Sequence, residues 1–247
     1  MPSLLPPRCR AGAVSRWVGT GLGLLISATI ACSKPASDAA PPAAPATDTA
    51  SPAPPTETIS SAPRIVFLGD SLTAGLGVAA SEAYPAVVGE RLKQEGRDFE
   101  IVNAGVSGDT SAGGLRRLDW SLQGNVRVLV IALGGNDGLR GLPVDELRRN
   151  LAAIIERAQQ RGIHVVLAGM EAPPNFGDIY TRRFREVYAD LARTYRVSFI
   201  PFFLADVAGH PALNQADGIH PTSEGQRLIA DRMLKIITPL LDESATR

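Results

Sequence analysis

The chain has 247 residues, 25 Lys and Arg against 25 Asp and Glu, and 45% hydrophobic content. A formal charge of zero argues against a general nucleic-acid binder, which needs a basic excess to neutralise phosphates, and equally against an acidic solvating protein. No apolar run reaches the roughly 18 residues of a membrane-spanning helix, and two cysteines cannot build a disulfide framework or a four-cysteine metal site.

Residues 1–16 contain Arg8, Arg10 and Arg16 and no acid, and an apolar stretch follows from Trp17 to Ala31. A positive segment ahead of roughly 7–15 apolar residues describes a secretory signal. A short buried helix is the alternative, and Gly19, Gly21 and Gly23 weaken it. The stretch closes on Thr29-Ile30-Ala31-Cys32, which resembles the lipobox of bacterial lipoproteins except that Thr29 stands where Leu is usual. The resemblance implies lipidation of Cys32, a membrane anchor for the mature chain, and a place in the periplasm or cell envelope. Ordinary export with cleavage nearby is the alternative. Cys9 leaves with the signal in either case.

From Ser33 to Pro63 the chain is almost entirely Pro, Ala, Ser and Thr, with Ile59 its one large aliphatic residue. Such a segment cannot bury enough apolar surface to offset its ordering entropy. It reads as a tether. The expected division is signal 1–31, tether 32–62 and one folded domain 63–247. Four basic and three acidic residues lie in the first 62, leaving 21 and 22 for the domain.

The domain alternates strand and helix patterns. Arg64–Gly69 predicts a strand, Tyr84–Glu95 a helix, Phe99–Asn103 a strand and Leu115–Leu122 a short helix. Val126–Leu133 is a near-continuous apolar run, as expected of a central strand covered on both faces. Val144–Arg161 is amphipathic, with Leu147, Leu151, Ile154, Ile155 and Ala158 along one face and Gly162 as its stop. Ile163–Met170 and Val197–Pro201 predict strands, and Tyr180–Tyr195 and Pro221–Leu241 predict helices. Five strands with helices between them imply a parallel sheet built by right-handed crossovers. Ligands of such α/β sheets gather at the carboxyl ends of the strands.

The chemistry-bearing residues fall at those ends. Gly69-Asp70-Ser71-Leu72-Thr73 follows the first strand, Asn103 to Asp109 the second, and Gly134-Gly135-Asn136-Asp137 the third, while Asp217-Gly218-Ile219-His220 precedes the last helix. One such cluster would be an ordinary turn. Acyl transfer needs a serine activated by a base, and three histidines are available. His164 lies within an apolar strand and His210 in a featureless loop. His220 follows Asp217 by three residues, a spacing that lets a carboxylate reach and orient an imidazole. A surface pair at a helix entry has the same spacing. Backbone N–H groups of Ser71 and Gly105 and the Asn136 amide are candidate oxyanion donors, although turn formation also explains Gly105 and Asn136.

The ordered set Ser71, Gly105, Asn136 and His220 resembles the four signature blocks of the SGNH hydrolases, or GDSL esterases and lipases, over about residues 63–241. The motifs GDSLTAG, NAGVSGDTSAGG, GGNDGLRG and DGIHP are most similar to the branch of bacterial arylesterases and multifunctional thioesterase/lysophospholipases. The resemblance implies a flavodoxin-like three-layer α/β/α sandwich with strand order 2-1-3-4-5, and a serine ester hydrolase needing no metal or cofactor. It implies Ser71 as nucleophile, His220 as base and then acid, and Asp217 as its orienter. Ser71, Gly105 and Asn136 would form the oxyanion hole, with Asp70 bracing the turn and Asn103 holding the loops. The loops Gly138–Leu142 and Glu171–Tyr180 resemble the family's acyl-binding walls, with Leu139, Leu142, Pro173, Phe176 and Ile179 as groove residues; ordinary loop packing is the alternative. Arg140 reads as a solvated side chain.

The expected partner is a small-molecule or lipid ester, not nucleic acid, and a monomer is expected. Two competing readings remain at this point: an acetylesterase or acyltransferase on cell-envelope glycans, and a non-catalytic binding lipoprotein. A nucleotide site is disfavoured, since no G-x-G-x-x-G or GK[ST] loop is present.

Overall fold

A computed structural model describes residues 62–245. The expected signal, the lipidation site Cys32 and the tether up to residue 61 lie outside the described residues. Within them the chain runs β1 (Arg64–Gly69), α1 (Ser71–Ala74), α2 (Tyr84–Gln94), β2 (Glu100–Gly105), α3 (Ser111–Arg116), α4 (Leu118–Ser121), β3 (Val126–Ala132), α5 (Gly135–Leu139), α6 (Val144–Gln160), β4 (His164–Ala168), α7 (Asp178–Tyr195), β5 (Ser198–Ile200) and α8 (Ser223–Ala245). The strands form one parallel sheet in the order β2-β1-β3-β4-β5, the order the family resemblance implies.

The apolar runs behave as their composition dictates. Ile65–Leu68 and Val128–Ala132 are fully buried, because central parallel strands are covered on both faces. From β1 the chain crosses one way to β2, then back across β1 to β3 and onward to β4 and β5. This reversal puts α2 on one face and α3, α6 and α7 on the other. Accordingly α2 packs against α8, and α6 packs against α3 and α7. The amphipathic face read from α6 is the buried one, with Leu147, Leu151, Ile154 and Ile155 at most 1% exposed. Each such side chain contributes roughly 1.5–3 kcal/mol of transfer free energy.

Two differences from the sequence pattern matter at the site. The second strand runs on to Gly105, because Ala104 and Gly105 pair with Leu68 and Gly69 of β1. The helix expected over residues 115–122 is two short ones, α3 and α4, which meet at Arg117. The turn of helix that carries Ser71 and the five-residue α5 are too short to leave a periodic pattern, and the sequence reading has neither.

Candidate active site

The reversal of sheet direction opens a crevice at the carboxyl end of β1, and the chain places Ser71 there. Asp70 caps α1, its Oδ1 accepting the Leu72 N–H at 3.0 Å. Behind this turn the Thr73 and Tyr84 hydroxyls lie 3.0 Å apart. Gln226 of α8 accepts the Tyr84 N–H at 2.9 Å and donates to the Leu72 carbonyl at 3.3 Å. Edge-to-face contacts of Tyr84 with Phe67 and Phe203, at 5.4 and 5.3 Å, fill the space beneath. Sheet, α2 and α8 thus all fix the serine's backbone.

His220 arrives from a different part of the chain. The loop Asn214–Pro221 is closed by a bridge between its ends and by the Gln215 N–H donating to the His220 carbonyl at 2.7 Å. Asn214 ties it down by donating to the Val207 and His210 carbonyls at 2.6 and 3.0 Å. Asp217 does double duty. Its Oδ1 accepts the N–H groups of Ile219 and His220 at 2.9 and 3.0 Å, and its Oδ2 lies 2.6 Å from His220 Nδ1. These bonds, the His220 backbone N–H first among them, hold the Asp217 carboxyl well below the usual carboxylate range. An ionised carboxylate at Nδ1 keeps the proton there, which leaves Nε2 as an acceptor. Nε2 lies 2.9 Å from Ser71 Oγ. Carboxylate, imidazole and hydroxyl therefore stand in one hydrogen-bonded row, which suits proton withdrawal from the serine.

Asn136 reaches the crevice from α5. Gly134, which precedes that helix, has φ of 110°, and a Cβ there would overlap the Tyr188 hydroxyl. Asp137, 3% exposed, anchors the helix by accepting the Ser111 hydroxyl at 2.5 Å and the Ser111 N–H at 2.8 Å. Asn136 Nδ2 donates one hydrogen to Asp70 Oδ2 at 3.2 Å, and Asn136 lines the cleft beside Ser71. Burial pushes the Asp70 carboxyl up to about 6, against hydrogen bonds from Leu72 and Asn136 that pull it down. Asp70 thus braces the turn, as read from sequence, and in addition orients Asn136.

The glycine donor requires a correction. Gly105 ends β2, inside the sheet, and its N–H is taken by Asn103 Oδ1 at 3.0 Å. A Cβ at Gly105 would overlap the Ala74 backbone, so that glycine serves the close approach of β2 to α1. It does not line the cleft, whereas Gly108 does. Gly108 lies past the sheet end, in the turn that the Asp109 N–H closes onto the Val106 carbonyl at 3.0 Å, with φ of 78°. Its N–H has no acceptor among the described residues. Gly108 fits the donor role better than Gly105. Asn103 holds the loops as expected, donating also to the Thr73 carbonyl at 2.9 Å.

The cleft encloses about 610 Å³. Of the five expected groove residues, Leu139 and Pro173 line it, and Leu142, Phe176 and Ile179 do not. The Leu142 carbonyl instead accepts the Tyr180 hydroxyl at 2.8 Å, Phe176 packs on the Tyr180 ring at 5.3 Å, and Ile179 stands 70% exposed. In their place come Leu72, Leu76, Met170, Phe202, Leu204 and Ile219. Arg140 is exposed but not merely solvated, since it donates to the Gly108 carbonyl at 2.8 Å. His164 sits half-buried in β4 and His210 is exposed, and neither lines the cleft. Among the described residues no group of three or more His, Cys, Asp or Glu is placed to hold a metal ion, and no helix is long and apolar enough to cross a membrane.

Fold and site together define a class, the carboxylic ester hydrolases built on a flavodoxin-like sheet. The profile of the GDSL-like lipase/acylhydrolase family matches residues 67–228, and the chain belongs to that family. It is 41% identical over 183 residues to Esterase TesA of Pseudomonas aeruginosa, covering 74% of this chain and 91% of that protein. It is 36% identical over 187 residues to Thioesterase 1/protease 1/lysophospholipase L1 of Escherichia coli K12, covering 75% and 88%. The crystal structure of the psychrotrophic esterase EstA from Pseudoalteromonas, inhibited by monoethylphosphonate, superposes with a TM-score of 0.69 at 35% identity, covering 72% of this chain and 98% of that one.

Proposed function

We propose that the protein is an exported serine esterase that cleaves esters of apolar acyl groups through an acyl-enzyme. The observation that carries this reading is the row Asp217 Oδ2–His220 Nδ1 at 2.6 Å and His220 Nε2–Ser71 Oγ at 2.9 Å, opening onto a cleft walled by aliphatic side chains. Ser71 Oγ attacks the ester carbonyl carbon while its proton passes to His220 Nε2. The carbonyl oxygen becomes an oxyanion, which the N–H groups of Ser71 and Gly108 and the free hydrogen of Asn136 Nδ2 stabilise. The Ser71 N–H suits this because the first N–H groups of a helix have no intrahelical acceptor. Collapse expels the alcohol or thiol, which takes the proton from Nε2. Water then repeats the sequence on acyl-Ser71 and releases the carboxylic acid.

The aliphatic walls favour aryl esters, short or medium acyl esters, acyl thioesters and lysophospholipids over acetylated glycans, whose hydroxyls need polar partners. The names of the two relatives, an esterase and a thioesterase/lysophospholipase, are consistent with that range. A chain-length series of p-nitrophenyl esters and acyl-CoAs, with Ser71→Ala as blank, tests it. A kcat/KM maximum beyond acetyl is expected, and a maximum at acetyl would favour the glycan reading.

We further propose secretion, with lipidation at Cys32 and a tether to residue 62. The support is the charge and hydropathy order of residues 1–32. Metabolic labelling with a palmitate analogue, lost in Cys32→Ala, is the expected result.

A further inference from the structure

We propose that Arg117 is a positioning residue for the oxyanion hole, setting the Gly108 turn against the backbone of Ser71. The assignment rests on the serine-esterase reading above. Arg117 occupies the joint between α3 and α4, and its guanidinium reaches three separate segments. Nη2 donates to the Gly69 carbonyl at 2.8 Å, Nη1 to the Ala104 carbonyl at 2.7 Å, and Nε to Asp109 Oδ2 at 2.8 Å. Gly69 is the last residue of the strand that delivers Asp70 and Ser71. Ala104 lies in the strand that delivers the 106–109 turn, and Asp109 closes that turn.

The Gly69 carbonyl stands at a strand end, where it also receives the Val106 N–H at 3.1 Å. Asp109 also accepts the Thr110 N–H at 3.1 Å, so its carboxylate is fixed from both sides. The pair is mostly covered, with Arg117 and Asp109 side chains 20% and 12% exposed, so water screens it little. A planar fork with donors at fixed angles locks three acceptors into one relative geometry, which a single ammonium cannot do. No bond in the cluster touches a substrate atom. Its consequence is the distance between two donors, the Ser71 N–H and the Gly108 N–H, that must meet the same oxygen. A displacement of about 1 Å at such a site costs on the order of 10²-fold in rate.

The test is Arg117→Lys, with kcat expressed per site titrated by a p-nitrophenyl phosphonate. A 10- to 100-fold loss of kcat with KM within twofold is expected, together with a matching loss of affinity for an alkyl boronic acid, which forms a tetrahedral adduct. Should Arg117→Lys fail to fold, Arg117→Ala with added guanidinium ion takes its place, and recovery of kcat with rising guanidinium is expected. Wild-type kcat per titrated site in Arg117→Lys, or no recovery by guanidinium in Arg117→Ala, would overturn the assignment while leaving the esterase reading intact. Failure of the wild type itself to be titrated would overturn both.

Discussion

Two carboxylates flank the serine, and they are held in opposite ways. Asp70 is 2% exposed and its carboxyl is pushed up to about 6 by burial. Asp217 sits in a surface loop, its side chain 46% exposed, and three hydrogen bonds hold its carboxyl low. The Asp217 side is a loop whose value lies in charge, since in the proposed mechanism it faces a histidine that gains and loses a proton. The Asp70 side is a packed strand end whose value lies in geometry, since it orients Asn136. In that mechanism an ionised group stands where a proton moves, and a buried, costly one where only direction matters.

Removing the row itself gives the largest effect. Ser71→Ala or His220→Ala should lower kcat by about 10⁴–10⁶-fold in steady-state hydrolysis of a p-nitrophenyl ester. Asp217→Asn should follow at about 10³–10⁴-fold, because an amide stabilises neither the Nδ1–H tautomer nor the imidazolium. In the wild type, kcat/KM should fall on acidification, because a protonated base cannot accept the serine proton. A flat profile would break the claim that His220 is the base.

On the other side, Asn136→Ala should cost roughly 10²–10³-fold in kcat with KM little changed. An effect carried by KM would make Asn136 a substrate-binding residue instead. Asp70→Asn sharpens the comparison most. The new amide turns an NH₂ toward the NH₂ of Asn136, so one must rotate, and a rotated Asn136 presents its carbonyl to the oxyanion. A loss of about 10–10²-fold in kcat is expected. Stability should move the other way. The folded carboxyl sits above its ordinary 3.8, so the folded state binds the proton more readily and gains stability as pH falls from about 6 to 4. Its charge therefore costs on the order of 3 kcal/mol above pH 6. Asp70→Asn should be more stable than wild type by up to about that amount at pH 8, with the gain gone by pH 4, in urea unfolding at each pH. The smallest effect is expected at Ile179, where truncation to Ala should leave kcat/KM within twofold on every acyl length.

The parallel sheet was legible because its strands are apolar runs alternating with helix patterns, while its strand order came from the family resemblance. Ser71 was legible from its place just after the first strand, and Asp217 and His220 from their three-residue spacing, while the roles proposed for all three came from the family resemblance of the four blocks. The donor glycine was not, because NAGVSGD offers two glycines and only register decides between them. Gly105 is claimed by the sheet through its pairing with Gly69, which leaves Gly108 beyond the edge. The groove residues failed for a related reason. Loop side chains face where neighbouring helices allow, and Tyr180 of α7 holds Leu142 and Phe176 away from the cleft. Arg117 has no sequence signature at all, since two of its three acceptors are backbone carbonyls.

The most direct test of the central claim is to expose the protein to a p-nitrophenyl phosphonate, digest it and locate the adduct by mass spectrometry. One phosphonyl group per chain, on Ser71, with activity lost in proportion and no adduct in Ser71→Ala, is the predicted result. Full inactivation with the adduct on another residue, or full labelling of Ser71 with activity retained, would contradict the assignment of Ser71 as the nucleophile.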